Sequence, residues 1–278
     1  MKKTIENFKA MKAENQKISM LTAYDYTTAK IFDNAGIDTI LVGDSLGNVV
    51  MGYENTIPVT MEDMIHHTAC VSRACENAFV VADMPFMSYQ TSVYDAVVNA
   101  GRLMKEGRAN AVKLEGGVSM KETIRAIVSA SIPVCAHIGL TPQSVFALSG
   151  YKVQGKTDEK ARKLIEDAKA VEEAGAYMVV LECVPNELAK YISEMLTIPA
   201  IGIGAGNGCD GQVLVYADMM NMTDGRKPKF VKVFEDIGAK MTDAVKEYIS
   251  EVQNCSFPDK EKSYSMDENI MKSIMEEK

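Results

Sequence analysis

The chain has 278 residues, 47% of them hydrophobic, and a formal net charge of −8 at pH 7. These values fit one large α/β domain (residues 1–278) and argue against nucleic-acid binding, which needs clustered Lys and Arg. No apolar stretch approaches the roughly 20 residues that cross a bilayer. The charged N-terminus lacks the apolar segment of a secretory signal. The six cysteines show no CxxC spacing. We therefore expect a cytoplasmic protein with reduced thiols and no membrane partner.

An amphipathic helix is predicted at Ile5–Ala13, and short apolar runs then alternate with longer stretches of helical spacing. The predicted strands are Ile18–Tyr24, Thr39–Gly43, Phe79–Asp83, Ala111–Glu115, Val134–Ile138, Tyr177–Glu182, Ala200–Ile203 and Gln212–Tyr216. The helices predicted between them are Tyr26–Ala35, Met61–Ala74, Val93–Glu106, Ser119–Ala130, Asp158–Ala174 and Asn186–Met195. A last long helix is predicted at about Phe230–Val252.

Capping signals mark the ends of several of these helices. Thr91 and Ser92 can cap the helix at Val93–Glu106, and Ser119 with Glu122 has the spacing of a capping box. The glycines expected to end helices in the left-handed conformation are Gly36, Gly107 and Gly175.

The strand runs are apolar on consecutive residues, which is typical of parallel strands covered on both faces. Eight such units predict a closed (βα)8 TIM barrel with an N-terminal helix and a C-terminal helical extension. An open doubly wound sheet is the alternative. Residues 255–278 form a polar tail that we expect to be mobile or to pack on a neighbouring subunit.

Four predicted strands carry an acid at or directly after the end of the apolar run: Asp44, Asp83, Glu115 and Glu182. In a barrel these positions converge on one mouth, where four carboxylates repel one another unless a cation compensates. The donors are oxygens only, which favours Mg²⁺ or Mn²⁺ over zinc. Magnesium usually takes one or two protein carboxylates, which leaves at least one acid free to act as a base. The alternative for any single acid is an N-cap or a solvated charge, although Glu is a poor N-cap.

Other polar residues lie near the same strand ends. Lys113 precedes Glu115 by two residues and shares its face of the strand, where it must pair with a carboxylate or an anionic substrate. Ser45 can donate to a bound anion, and His137 is either a satisfied core histidine or a substrate contact. The glycine run Gly202, Gly204, Gly206 and Gly208 is a weak phosphate signal and more safely marks a tight turn.

Several ordered motifs between Leu21 and Lys232 resemble those of the ketopantoate hydroxymethyltransferases: LTAYDY, LVGDSLGNVVMGYENTIPVTMEDM, VVADMPFMSY, AVKLEGG, HIGLTPQSV, GYKVQG, LECVP, IGIGAGNGCDGQVLV and PKFVK. The resemblance implies a barrel of the phosphoenolpyruvate/pyruvate type and a homodecamer. It implies transfer of a one-carbon unit from 5,10-methylenetetrahydrofolate to 3-methyl-2-oxobutanoate, which gives ketopantoate in pantothenate and coenzyme A biosynthesis.

By the same resemblance, the site residues divide into three groups. The magnesium ligands would be Asp44, Asp83 and Glu115, the keto-acid contacts Asp44, Ser45, Asp83 and Lys113, and the proton acceptor Glu182. We hypothesise that one Mg²⁺ per subunit stabilises the enolate that forms when Glu182 removes the C3 proton. The alternatives are a barrel lyase of the phosphoenolpyruvate mutase/isocitrate lyase kind and a non-catalytic assembly protein that keeps the barrel as a scaffold.

Overall fold

The computed structural model describes residues 2–225 and 227–277. Eight parallel strands close into a barrel in the order β1 to β8, each paired with its neighbours in sequence and β8 paired with β1. The strands are β1 Ile18–Thr22, β2 Thr39–Val42, β3 Phe79–Asp83, β4 Ala111–Glu115, β5 Val134–Gly139, β6 Met178–Glu182, β7 Ala200–Ile203 and β8 Gly211–Leu214. The predicted (βα)8 barrel is confirmed, and the open sheet is wrong.

Helices precede, separate and follow the strands. They are α1 Ile5–Ala13, α2 Tyr26–Ala35, α3 Leu46–Val49, α4 Met61–Ala74, α5 Val93–Lys105, α6 Lys121–Ser129, α7 Asp158–Glu173, α8 Asn186–Met195, α9 Tyr216–Met219, α10 Ile237–Gln253 and α11 Glu268–Glu276. The buried apolar residues of helices α2 to α8 pack against the outside of the barrel in the larger of two hydrophobic clusters. The consecutive apolar residues of the strands thus serve both the interior and this outer layer.

Several predicted boundaries are corrected by the structure, and the first strand ends at Thr22 and not at Tyr24. The eighth strand ends at Leu214 because Tyr216 begins the short helix α9. The last long helix begins at Ile237 and not at Phe230, since the segment before it crosses the barrel mouth, where Phe230 lines a cavity. The predicted capping box of Ser119 fails because Val118–Met120 forms a 3₁₀ turn, so that α6 begins at Lys121 without a side-chain cap.

The other capping predictions give mixed results. Ser92 caps α5 by accepting a hydrogen bond from the Asp95 amide. Gly36 and Gly175 have positive φ, as predicted. Gly107 does not, because Arg108 takes the left-handed conformation at that turn.

The N-terminal end of the barrel is closed by α1. The ring of Phe8 is fully buried and packs edge-on against Phe79, with centroids 5.4 Å apart, and lies 6.4 Å from the ring of Tyr177. These residues belong to a second apolar cluster formed by inward-facing residues of the strands. The lower barrel is therefore a packed core, and the ligand site of this fold is expected at the opposite end.

Strand register determines which polar residues meet at that end. Asp83 on β3 is level with Lys113 on β4, and Glu115 on β4 is level with His137 on β5. Glu182 on β6 is level with Gly139 on β5. Because alternate residues of a strand share a face, these side chains rise inside the barrel above the apolar core.

The C-terminal extension differs from the helices around the barrel. Neither α10 nor α11 contains a buried residue, although α10 carries apolar side chains along its length. Within the described residues, no helix is long and apolar enough to cross a membrane.

Candidate active site

A cavity of about 720 Å³ opens at the C-terminal ends of the strands. Every site residue predicted from the sequence lines it: Asp44, Ser45, Asp83, Lys113, Glu115 and Glu182, together with His137. They come from strands β3 to β6 or from the loop that follows β2. The structure therefore brings the whole predicted set to one place, where binding residues of this fold usually lie.

Asp83 and Lys113 form a buried ion pair. The Nζ atom of Lys113 lies 2.6 Å from Oδ1 of Asp83, and both side chains are at most 5% exposed. Burial lowers the pKa of the Lys113 ammonium, but the carboxylates of Asp83, Glu115 and Asp44 outweigh this effect and raise it overall. Oδ1 of Asp83 has no other partner within hydrogen-bonding geometry, so the ammonium is its main compensation. Lys113 is therefore a fixed positive charge in the cavity.

Asp44 is the carboxylate most disfavoured in its charged form. Burial, followed by the charges of Asp83 and Glu115, raises the pKa of Asp44 to about 8. Its amide donates to Oδ2 of Asp83 at 3.0 Å, and its own Oδ2 accepts from Nε2 of Gln143 at 2.8 Å. The acid group thus sits beside a second carboxylate in a place shielded from water.

Gly43 is the residue that permits this close approach. A Cβ atom at Gly43 would lie 2.8 Å from Oγ of Ser45 and 3.4 Å from Oδ2 of Asp83. Ser45 is in turn held by Tyr24, whose hydroxyl lies 2.8 Å from Oγ of Ser45. The hydroxyl of Ser45 therefore faces the acids from a defined position.

His137 lies between two carboxylates. Its Nδ1 is 3.5 Å from Oε1 of Glu115, and its Nε2 is 3.3 Å from Oε2 of Glu182. Burial and the nearby ammonium of Lys113, whose Nζ is 3.2 Å from Nδ1, lower the pKa of His137. Hydrogen bonding to Glu115 and Glu182 outweighs both effects and raises the pKa to about 9. Of the two sequence alternatives, a core residue or a substrate contact, the structure favours neither alone: the ring is buried and also lines the cavity.

Gln143 is a central residue that sequence reasoning missed. The side-chain Nε2 of Gln143 donates to Asp44 and to the carbonyl of Met84. Its backbone N–H donates to Oε2 of Glu115 at 3.1 Å, and its side-chain Oε1 accepts from the hydroxyl of Tyr89 at 2.6 Å. These partners lie 28 to 99 residues away in the chain. The only available signal was its position in the string HIGLTPQSV. Gln143 holds two of the acids in place.

The glycine run after β7 is a tight turn, as its safer interpretation predicted. Gly204 and Gly206 have positive φ values of 63° and 75°. A Cβ at Gly204 would lie 2.7 Å from the ring of Phe230, and one at Gly206 would overlap the side chain of Asn186. The glycines allow these side chains to pack on the backbone.

The donor set fits a magnesium ion held by two carboxylates. Carboxylate oxygens are the ligands that Mg²⁺ prefers, and it commonly takes one or two from the protein. The backbone amide of Asp44 donates to Asp83, and burial together with the charges of Asp83 and Glu115 raises the pKa of Asp44. A cation would offset those charges. Within residues 2–225 and 227–277, no three His, Cys, Asp or Glu side chains are grouped closely enough to hold a metal ion. Glu115 is engaged by Gln143 and His137, and its role as a third ligand stays a prediction.

The comparisons with known proteins identify the family. The family model described as ketopantoate hydroxymethyltransferase matches residues 2–260. The chain belongs to the ketopantoate hydroxymethyltransferase family. A relative from Clostridium novyi (strain NT), named 3-methyl-2-oxobutanoate hydroxymethyltransferase, is 61% identical over 99% of this chain and 100% of its own length. One from Enterococcus faecalis (strain ATCC 700802 / V583) with the same name is 60% identical over 99% of this chain and 100% of its own length. As a ketopantoate hydroxymethyltransferase family member over its full length, the chain is an enzyme and not a non-catalytic scaffold.

A solved structure places the fold of this ketopantoate hydroxymethyltransferase family member in a wider group. A 2,3-dimethylmalate lyase, described as a member of the PEP mutase/isocitrate lyase superfamily, superposes with a TM-score of 0.59 at 17% identity, covering 95% of this chain and 92% of its own. At this identity the likeness concerns the fold alone. The barrel fold is thus shared with this lyase, whereas family membership excludes the lyase as the activity.

Proposed function

We propose that this enzyme transfers a hydroxymethyl group from 5,10-methylenetetrahydrofolate to 3-methyl-2-oxobutanoate and so forms ketopantoate, in the cytoplasm, for pantothenate and coenzyme A biosynthesis. The observation that carries this proposal is the full-length match to relatives named for hydroxymethyl transfer to this keto acid. The cavity supports the proposal because its lining includes the ammonium of Lys113, the hydroxyl of Ser45 and several carboxylates.

The substrate is an anion, and the chain offers it one fixed positive charge. Lys113 is buried, protonated and directed into the cavity, so it offsets the negative charge of the keto acid. Ser45, positioned by Tyr24, donates a hydrogen bond to a substrate oxygen. Asp44 and Asp83 would hold Mg²⁺, which would supply Lewis acidity at the 2-oxo group and thereby favour loss of the neighbouring proton.

Glu182 is the proposed base. It lines the cavity, its side chain is 15% exposed, and its Oε2 lies 3.3 Å from Nε2 of His137. Glu182 takes the C3 proton, and the electron pair of that C–H bond makes the enolate. Carbon C3 then forms a bond to the methylene carbon of the folate, and water supplies the hydroxyl oxygen. The C3 proton and one proton of water end on the two folate nitrogens that held the methylene, so the balance closes.

Exchange of the C3 proton in deuterium oxide without folate tests the base assignment. The wild-type enzyme should exchange it, and Glu182→Gln should slow the exchange by about 10²- to 10⁴-fold, as loss of a general base does. Glu187→Gln is the matched control because Glu187 is an exposed acid on α8. Normal exchange in Glu182→Gln would refute the assignment.

Metal binding is tested apart from turnover. Calorimetric titration of EDTA-treated enzyme with Mg²⁺ should give one site per subunit, and Asp44→Asn should weaken it by about 10-fold or more, in line with the loss of a charged ligand. Full activity in EDTA together with no measurable Mg²⁺ binding would remove magnesium from the proposal.

We also propose a homo-oligomer, with the homodecamer of the resemblance as its expected size. Exposed apolar side chains of α10 support this: Met241, Val245, Tyr248, Ile249 and Val252. Such a face on a helix without buried residues fits contact with a second copy of the chain. Sedimentation velocity of the wild type and of Val245→Glu tests it: the variant should dissociate, and a wild-type monomer would contradict the proposal.

A further inference from the structure

The cavity is much larger than the keto acid requires. Cavities of roughly 300–1,000 Å³ typically enclose a drug-sized ligand, and this one measures about 720 Å³. A five-carbon keto acid bound among Lys113, Ser45 and the acids would leave most of that space open. The remaining part is the place for the second substrate.

Strand order shows where that space lies relative to the acids. In the closed ring of eight strands, β3 and β4 stand across from β7 and β8. Asp83, Lys113 and Glu115 occupy β3 and β4, and the proposed base Glu182 ends β6, next to β7. The space left for a donor that meets carbon C3 therefore includes the side of β7 and β8, whose residues line the same cavity.

That opposite side combines an apolar surface with a few polar residues. The ends of β7 and β8 present Ile203, Val213 and Leu214 to the cavity. The ring of Phe230 lies directly against Gly204, so its position is fixed by the tight turn after β7. Met222 and Val231 extend the apolar surface along the segment that follows β8. A flat aromatic ligand would find complementary contacts there.

Two carboxylates line this side of the cavity, the half-buried Asp218 and the exposed Asp224. Asp218 is half-buried at the cavity, and its Oδ1 accepts a hydrogen bond from the hydroxyl of Thr223 at 2.7 Å. Thr223 is tied to Lys227, whose Nζ donates to the Thr223 carbonyl at 3.1 Å. The carboxylate of Asp218 is thus held in one orientation, with lone pairs left for a ligand.

We propose that this wall, formed by Asp218, Met222, Phe230 and Val231, binds the pteridine ring of the tetrahydrofolate co-substrate. The carboxylate of Asp218 accepts hydrogen bonds from the 2-amino group and the N3–H of the ring, which lie side by side and match two carboxylate oxygens. Phe230 and Met222 contact the faces of the ring, and Lys227 attracts the anionic glutamate tail. This inference rests on the proposed function, because it takes the folate from it.

Asp218→Asn tests the inference through steady-state kinetics. An amide has one acceptor where the ring needs two, so the KM for 5,10-methylenetetrahydrofolate should rise about 10- to 100-fold, the usual effect of losing a charge-assisted hydrogen-bond pair. The KM for the keto acid and the rate of C3 exchange should stay within twofold. Folate is an anion, so mere loss of a negative charge would change the KM in the opposite direction. Asp243→Asn, on the exposed surface of α10, is the control for loss of charge.

The outcomes separate this inference from the proposed function. An unchanged folate KM in Asp218→Asn overturns the inference, and so does an equal loss of C3 exchange, which would indicate damage to the keto-acid side. Calorimetric binding of tetrahydrofolate to the wild type and to Asp218→Asn gives a readout without turnover. If the wild type binds tetrahydrofolate through Asp218 but makes no ketopantoate, the proposed function fails and the inference stands.

Discussion

The buried carboxyl group of Asp44 gives a quantitative prediction about pH. Burial and the charges of Asp83 and Glu115 raise its pKa from 3.8 to about 8. In the unfolded chain this group loses its proton near pH 4, so between about pH 4 and pH 8 the folded protein binds more protons than the unfolded one. The free energy of unfolding therefore falls as pH rises through this window.

The size of the effect follows from the same displacement. Within this window the free energy of unfolding falls by about 1.4 kcal/mol for each pH unit. The whole rise in the pKa of Asp44 therefore corresponds to about 6 kcal/mol. The part between about pH 5 and pH 8 amounts to about 4 kcal/mol. That is a large share of the roughly 5–15 kcal/mol by which a folded domain is stable.

Urea unfolding of the wild type and Asp44→Asn, at one protein concentration in EDTA, measures this contribution. Asn keeps the shape of the side chain and an oxygen that accepts from Gln143, but it does not titrate. Between pH 5 and pH 8 the wild type should lose about 4 kcal/mol relative to the variant. The contribution of His137, whose raised pKa also costs stability as pH rises to about 9, is present in both proteins and largely cancels.

Magnesium should flatten the wild-type curve, because a bound cation favours the ionised carboxylate and competes with the proton. The curve of Asp44→Asn should change much less. Parallel curves for the two proteins without metal would refute the reasoning about Asp44. If Mg²⁺ leaves the pH dependence of the wild-type unfolding free energy unchanged, Asp44 is not a ligand of the metal.

Three further substitutions have expected outcomes. Lys113→Met leaves Asp83 buried without its cation, so the free energy of unfolding in urea should fall by about 3–5 kcal/mol and the KM for the keto acid should rise. An unchanged free energy of unfolding would mean that the ion pair does not stabilise the fold. Gly43→Ala places a methyl group 2.8 Å from Oγ of Ser45, so kcat/KM for the keto acid should fall about 10-fold, which corresponds to about 1.4 kcal/mol. Kinetic constants equal to those of the wild type would show that the methyl group does not crowd Ser45. Phe8→Ala removes the ring that closes the N-terminal end of the barrel, so the free energy of unfolding should fall by about 3–5 kcal/mol while the kinetic constants stay unchanged. Altered kinetic constants would show that the two ends of the barrel are coupled.

The sequence predicted the elements that repeat a simple pattern. The runs at Phe79–Asp83 and Ala111–Glu115 were located to the residue, because strands covered on both faces are apolar at every position and end sharply at an acid. Segments near the mouth were predicted less well. The helix expected from Phe230 begins only at Ile237, because Phe230 packs on Gly204, a contact between distant residues that local periodicity does not encode.

The predicted site residues were found in one cavity for a related reason. Acids that follow strands of a closed parallel barrel must meet at its mouth, whatever lies between them in the chain. The hydrogen bonds among them could not be predicted in this way. Gln143 contacts Asp44 and Glu115 from the loop after β5, and no local pattern distinguishes a glutamine that will become buried from one that stays in solvent.

The charges at the barrel mouth explain why Asp44 differs from the other acids. Asp83 has the ammonium of Lys113, while Glu115 and Glu182 share the imidazole of His137. Within the part of the chain that the structure describes, no salt bridge reaches Asp44, and its only side-chain hydrogen bond comes from the neutral amide of Gln143. Negative charge is therefore least compensated at this residue, and its repulsion adds to the larger effect of burial in raising the pKa of Asp44. A cation entering the cavity would gain most beside Asp44, and the base Glu182, already balanced by His137, would remain free to accept a proton.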